Sequence, residues 1–214
     1  MKKLLVSSVA ALALTSSALI AEESGTFVGV GIGYGSTTLK LSSNVLGETE
    51  NIKNTKSGLN YGIIAGYKQF FTESFGLRYY GNIDMSSATI ESQAYNTLNY
   101  GVNVDALYNF VTSADMDFGV FLGIGLGANS WSGEGINDAK SVPAAAGKKA
   151  TTTGFDAALN VGLRGVFAKA HGIELAARVP FVKTTLFDIN VTDVSVKATI
   201  HRTYNVGLRY TFGF

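Results

Sequence analysis

The C-terminal stretch, residues 194–214, constrains the fold more than any other part of the chain. Val194, Val196, Ala198, Ile200, Tyr204, Val206, Leu208, Tyr210, Phe212 and Phe214 fill the even positions, and Arg202 is the one exception. Between them stand Ser195, Lys197, Thr199, His201, Thr203, Asn205, Gly207, Arg209, Thr211 and Gly213, all polar, charged or glycine. A two-residue period puts each set on its own side of an extended strand. This period is held far beyond the usual strand length of about five to six residues. The even face is expected to meet an apolar surround throughout. The odd face would then carry His201 inward with Lys197 and Arg209.

The same alternation recurs upstream, which predicts eight strands in all. The first sets Val28, Val30, Ile32 and Tyr34 against Gly29, Gly31, Gly33 and Gly35. The second has Leu59, Tyr61, Ile63, Ala65 and Tyr67 on its apolar face, and the third has Leu77, Tyr79 and Ile83 opposite Arg78, Tyr80, Asn82 and Asp84. In the fourth, Leu98, Tyr100, Val102, Val104, Ala106, Tyr108 and Phe110 oppose Asn103 and Asp105. The fifth alternates Phe118, Val120, Leu122, Ile124 and Leu126 with Gly119, Phe121, Gly123, Gly125 and Gly127. The sixth sets Phe155, Ala157, Leu159, Val161, Leu163 and Phe167 against Asp156, Asn160, Gly162 and Arg164; the seventh sets Leu175, Ala177, Val179 and Phe181 against Glu174 and Arg178. Polar stretches at residues 42–57, 86–96, 129–152 and 188–193 read as loops, alternating with short links near residues 69–74, 112–116 and 169–172. Because the first strand's glycines keep to one face and open no helix, they do not read as a phosphate-binding loop.

Composition decides what surrounds such a sheet. The chain is 46% hydrophobic and only 15% charged, too little charge for a soluble surface. Beyond the first twenty or so residues, no apolar run reaches the roughly 18 residues that a membrane helix needs. In hydrocarbon the backbone must satisfy its own polar groups, and a closed sheet does so without leaving an edge. The fold class expected is therefore all-β, an eight-stranded antiparallel transmembrane barrel. An even strand count and alternating loop lengths agree with this, and place both termini on the periplasmic side. A soluble calyx requires apolar residues inside and polar ones outside, the reverse of these faces. Aromatics beside the short links, Tyr67, Phe75, Tyr108, Phe110, Phe118, Phe167, Tyr210, Phe212 and Phe214, would form a girdle at the membrane interface.

Lys2 and Lys3, an apolar core over residues 4–14 and small residues over 16–21 make a secretory signal peptide. Cleavage after Ala21 is expected, with Ala18 the competitor, leaving residues 22–214 as one barrel domain. A net charge of +1 offers no basic surface for nucleic acid. With no cysteine and two isolated histidines, neither disulfides nor a metal or other cofactor is expected.

Four stretches carry a family resemblance: AGYKQFFTESFGLRYYG at residues 65–81, FLGIGLGANSW at 121–131, NVGLRGVFAKAHGIEL at 160–175, and the aromatic ending at Phe214. They resemble the barrel core of Helicobacter-type outer membrane proteins. The resemblance implies a small outer-membrane barrel of a Campylobacterota-like bacterium. Adhesive members of that family carry a large extracellular insertion for which this chain has no room, so receptor binding is not carried over. Tyr210, Phe212 and Phe214 resemble the terminal signal read by the barrel-assembly machinery.

Candidate chemistry is sparse. His171 sits in a turn, and no His, Ser and carboxylate cluster suggests catalysis. The expected site is instead a charge network plugging the lumen, made of Lys68, Arg78, Asp84, Asp105, Asp156, Arg164, Glu174, Arg178 and Arg209, with Arg164 and Glu174 close across a tight turn. Lumen glycines would make room for long arginines, and Gly123 is expected to accept serine. Partners are outer membrane lipids, the assembly machinery and any surface ligand reached by the loops; Trp131, Lys148 and Lys149, in the longest loop, read as a solvated segment, with contact to lipopolysaccharide or a host surface the alternative. A small solute porin and a loop-based adhesin are the alternatives.

Overall fold

The computed structural model describes residues 24–113, 115–145, 147–191 and 194–214. The expected signal peptide, residues 1–21, lies outside them. Nine strands form one antiparallel sheet: β1 (Gly25–Val45), β2 (Glu48–Phe70), β3 (Phe75–Ile90), β4 (Gln93–Thr112), β5 (Met116–Ser132), β6 (Thr153–Phe167), β7 (His171–Pro180), β8 (Thr184–Val191) and β9 (Val194–Gly213), with one helix, α1 (Glu134–Ala145), after β5. Each strand through β6 pairs with its successor, β9 pairs with β7 and β8, and β1 pairs with β9, so the sheet closes. The ring has eight staves because β7 and β8 share one. Pro180 ends β7 where its missing N–H cannot continue the ladder, and β8 resumes along the far half of β9.

Lipid-facing parity agrees with the sequence pattern on most staves. Val30, Ile32, Tyr61, Ile63, Val102, Leu122, Ile124, Leu159, Leu163, Leu175 and Leu208 are all exposed, as expected for a wall whose neighbours are acyl chains. Ala157 is buried despite its outward parity, where Phe181 N–H bonds its carbonyl.

The expected loops are largely strand. Residues 42–57 form the ends of β1 and β2, joined by the two-residue turn Leu46-Gly47, both at positive φ. Residues 86–96 similarly close through Glu91-Ser92, again with both φ positive. Neither turn carries the Asn-Gly or Asp-Gly pair that marks such turns in sequence. Within residues 129–152, β5 continues to Ser132 and α1 follows, while β8 occupies the stretch through Val191. At 21 and 23 residues, β1 and β2 are about twice the 9 to 11 residues of a tilted crossing. Their outer halves stand clear of the hydrocarbon with the outer halves of β8 and β9. That end is the hairpin end; the other, holding the short turns and Phe214, is the terminal end.

Strand β9 departs from the expected single apolar face. Its register with β1 passes from Tyr204 opposite Ser36 to Arg202 opposite Thr37, leaving Thr203 as a bulge. One extra residue inverts parity. Below the bulge, Tyr204, Val206, Leu208 and Tyr210 face lipid as expected; above it, Ala198, Ile200 and Arg202 turn inward and are buried. Lys197 and His201 therefore face outward rather than into the lumen. Lys197 is half exposed and pairs with Asp188 at 2.9 Å, while His201 Nε2 lies 3.3 Å from the Pro180 carbonyl at the broken stave. An apolar residue on β9 is no guide to its side, because the hairpin end is apolar inside as well as out.

Candidate functional site: a filled lumen

The interior is built in three levels. Nearest the terminal end, Arg78 of β3 is buried with its guanidinium between two carboxylates. Its Nη2 donates to Asp105 Oδ2 at 2.8 Å, and its Nη1 donates to Glu174. The cation also lies 4.8 Å from the Phe121 ring centroid and 5.1 Å from that of Tyr80, which adds cation–π attraction in a desolvated site. Arg209 Nη1 donates to the second Glu174 oxygen at 3.2 Å. Arg164 stands directly across from Glu174 in register, and its Nη1 donates to Asn109 at 2.9 Å. Lys68 is buried and lines the same region with Arg78, Arg164 and Glu174.

At mid-lumen Arg178 donates to Asp156 at 2.8 Å, Asn103 at 2.7 Å and Asn160 at 3.1 Å. Asparagines link this group to its surroundings. Asn99 and Asn129 donate to Asp156, Asn103 donates to Asn82, and Asn160 donates to Asn103, Asp105 and Tyr80. Asp84 accepts from Asn82 at 2.6 Å. Asn82, Asn103 and Asn160 were legible as inward-facing, but asparagine carries no charge to mark it as a network member. An amide both donates and accepts, so it connects carboxylates that would otherwise repel. The free space here is a cavity of about 40 Å³, room for a few waters at most.

Glycine clears the space for these groups. A Cβ on Gly125 would meet the Arg178 guanidinium, so this glycine makes room for an arginine as expected. Gly123 does not accept serine, because any Cβ there overlaps the Val104 carbonyl and the Asp105 carboxylate.

The third level, toward the hairpin end, is apolar. Ile90, Tyr95, Trp131, Ile136, Leu186, Phe187, Ile189, Ala198 and Ile200 form one buried cluster, flanked by Leu39, Leu41 and Val196. Helix α1 contributes Ile136, fully buried, and closes the mouth. Trp131 thus lies inside, its indole N–H donating to Thr184 at 3.2 Å, not on an exposed loop. Arg202 lies at the base of this level, 2% exposed. Neither of its terminal nitrogens has a hydrogen-bond partner in the structure.

His171 packs at the terminal end, its Nδ1 2.7 Å from the Tyr210 hydroxyl and its ring 5.3 Å from that of Phe212. Phe212 in turn meets Phe214 edge-on at 5.1 Å. Among the described residues, no group of three His, Asp or Glu is placed to hold a metal ion.

The model of the family described as Helicobacter outer membrane protein matches residues 62–214. No curated protein matches the chain. Among solved structures it is similar to the outer membrane protein OprG from Pseudomonas aeruginosa, at 13% identity over 92% of this chain and 100% of that one, with a TM-score of 0.48. It is also similar to Neisserial surface protein A, at 14% identity over 90% and 100% of the two chains, with a TM-score of 0.42. A third is Ail of Yersinia pestis, at 16% identity over 88% and 99%, with a TM-score of 0.33. The match covers most of the barrel, from the middle of β2 to the last residue: the chain belongs to the Helicobacter outer membrane protein family and resides in the bacterial outer membrane.

Proposed function

We propose that this protein is a sealed barrel with a structural and surface-interaction role, neither an enzyme nor a solute pore. The observation that carries this reading is the filled interior, with ion pairs and amides across its lower two levels and apolar side chains in its mouth. Eight staves enclose a space that side chains just fill, whereas open aqueous channels come with sixteen or more. The hairpin end then faces outward from the cell, where the β1–β2 and β3–β4 hairpins would meet a surface ligand. Residues 1–21 direct export, and Tyr210, Phe212 and Phe214 present the final strand to the assembly machinery. Phe214 is exposed, and its backbone N–H still joins the ladder at Thr26.

The test compares a strain lacking the protein with one carrying a barrel whose two long hairpins are shortened to the membrane surface. On the proposed reading, loss of the protein weakens the envelope against detergents and bulky antibiotics, and the trimmed barrel restores the barrier. Reduced uptake of small hydrophilic solutes in the deletion strain, with the barrier intact, would favour the porin alternative.

A further inference from the structure

The wall of the barrel is least continuous where the broken stave meets β6. Pairing between β6 and β7 ends at Ala158 opposite Pro180, and β8 takes its ladder from β9. Residues 153–157 of β6 pair with β5 on their other side. Across the seam run two backbone bonds, Phe181 N–H to the Ala157 carbonyl at 3.0 Å and Thr151 N–H to the Leu186 carbonyl at 2.7 Å, together with packing of Gly154 against the Thr184 side chain. Phe155 and Phe181 flank the seam on the outside and are exposed.

Behind the seam lies the apolar level, with Leu186, Phe187, Trp131 and Ile200 among its residues. Arg202 stands at its base. Burying a guanidinium without acceptors is strongly unfavourable, and buried polar groups are otherwise almost always satisfied. The nearby carboxylates are already engaged: Asp156 accepts from Asn99, Asn129 and Arg178, and Asp84 from Asn82. Among the described residues the interior therefore offers a cation whose two terminal nitrogens lack acceptors, next to an apolar level whose wall is least continuous at this seam. Helix α1, which fills the mouth of this level, turns most of its residues outward and is anchored by Gly135, Ile136, Ala139 and Pro143 together with a hydrogen bond from Gln93 to Asp138. It is lightly held.

We propose that this level is a binding site for a single-chain amphiphile with an anionic head, a carboxylate or a phosphate. The head pairs with the two terminal nitrogens of Arg202. The chain lies among Trp131, Leu186, Phe187 and Ile200 in the place vacated by Ile136, and entry is through the seam between β6 and β8. A guanidinium forks onto either head in the same bidentate way, so fatty acids and lipid phosphates share the chemistry. The proposal goes beyond the sealed-barrel reading and stands apart from it, since the two lower levels stay closed whether or not the upper one is occupied.

Trp131 is the only tryptophan in the sequence, so its fluorescence reports on the chamber. The full-length mature protein is folded into phosphatidylcholine nanodiscs and titrated with a long-chain fatty acid carrying bromine on its chain, a contact quencher. The expected result is saturable quenching that weakens about tenfold in Arg202→Gln. The same brominated chain ending in an alcohol should bind the wild type about tenfold more weakly than the acid, a comparison that needs no variant to fold. A brominated alkyl phosphate distinguishes the two head sources: tighter binding than the acid points to lipid phosphates, weaker binding to fatty acids. Quenching that rises linearly with quencher and is equal for acid and alcohol, or equal in wild type and a folded Arg202→Gln, would overturn the proposal.

Discussion

Arg78 shows how a single residue decides whether this interior is tolerable. It donates to both Asp105 and Glu174 with all three groups buried, so removing it leaves two carboxylates without their main cation. Arg78→Ala should destabilise the folded barrel by about 3–5 kcal/mol, since breaking a buried pair costs more than the pair contributes; urea titration in lipid bilayers measures it. An unchanged midpoint would mean that the lumen charges are individually solvated. Glycine gives a second prediction at this scale. Gly123→Ala forces a Cβ into β4, whereas Gly35→Ala meets its nearest atom, the Tyr204 carbonyl oxygen, at an ordinary 3.6 Å. The first should cost about 1–3 kcal/mol, as overpacking does, and the second clearly less. The same urea titration ranks them, and equal midpoints would contradict the packing argument. The inward side of the nine expected charges could be read from parity, because a charge on a membrane-spanning strand avoids the lipid face. Arg202 was visible only as the one break in the apolar run. The break marks the place where the faces exchange, and a period of two carries no label for inside and outside.

Among the elements, β9 carries the largest difference between pattern and structure. The Thr203 bulge lets one strand face lipid with its even residues near the terminal end and the chamber with its even residues near the hairpin end. Deleting Thr203 removes the extra residue and forces one half into the wrong register. The deletion should abolish heat-modifiable barrel on gels of outer membranes, whereas deleting a residue at the β1–β2 tip should not. Normal assembly without Thr203 would show that the bulge is dispensable. The tight turns were unreadable for a different reason. Glu91 and Ser92 both occupy positive φ, at 50° and 66°, a conformation that the local residues do not favour and the surrounding ladder imposes. Replacing them with Asn-Gly should raise stability by about 1 kcal/mol in the same urea assay, and a loss of stability would argue that the turn residues serve another purpose. Strand β8 escaped notice because Leu186, the extra residue at a register shift, and Phe187, which follows it, are both buried, which erases its alternation.

For the whole molecule, the account is a wall that satisfies lipid outside and a lumen that satisfies itself inside. The eight staves, their order and the lipid face of most of them follow from alternation and the shortage of charge. The apolar chamber and α1 do not, since sequence pattern reports which residues avoid water without saying whether acyl chains or other side chains surround them. The lipid face is checked by Leu122→Arg, at a position 60% exposed, which should cost about 2–4 kcal/mol if it lies at mid-membrane. The sealed lumen is the central claim, and conductance of the purified, full-length mature protein in planar bilayers tests it most directly. The wild type should give no stable single-channel steps at any voltage the bilayer withstands. Reproducible, ion-selective currents from the wild-type protein would contradict a lumen closed by its own charges.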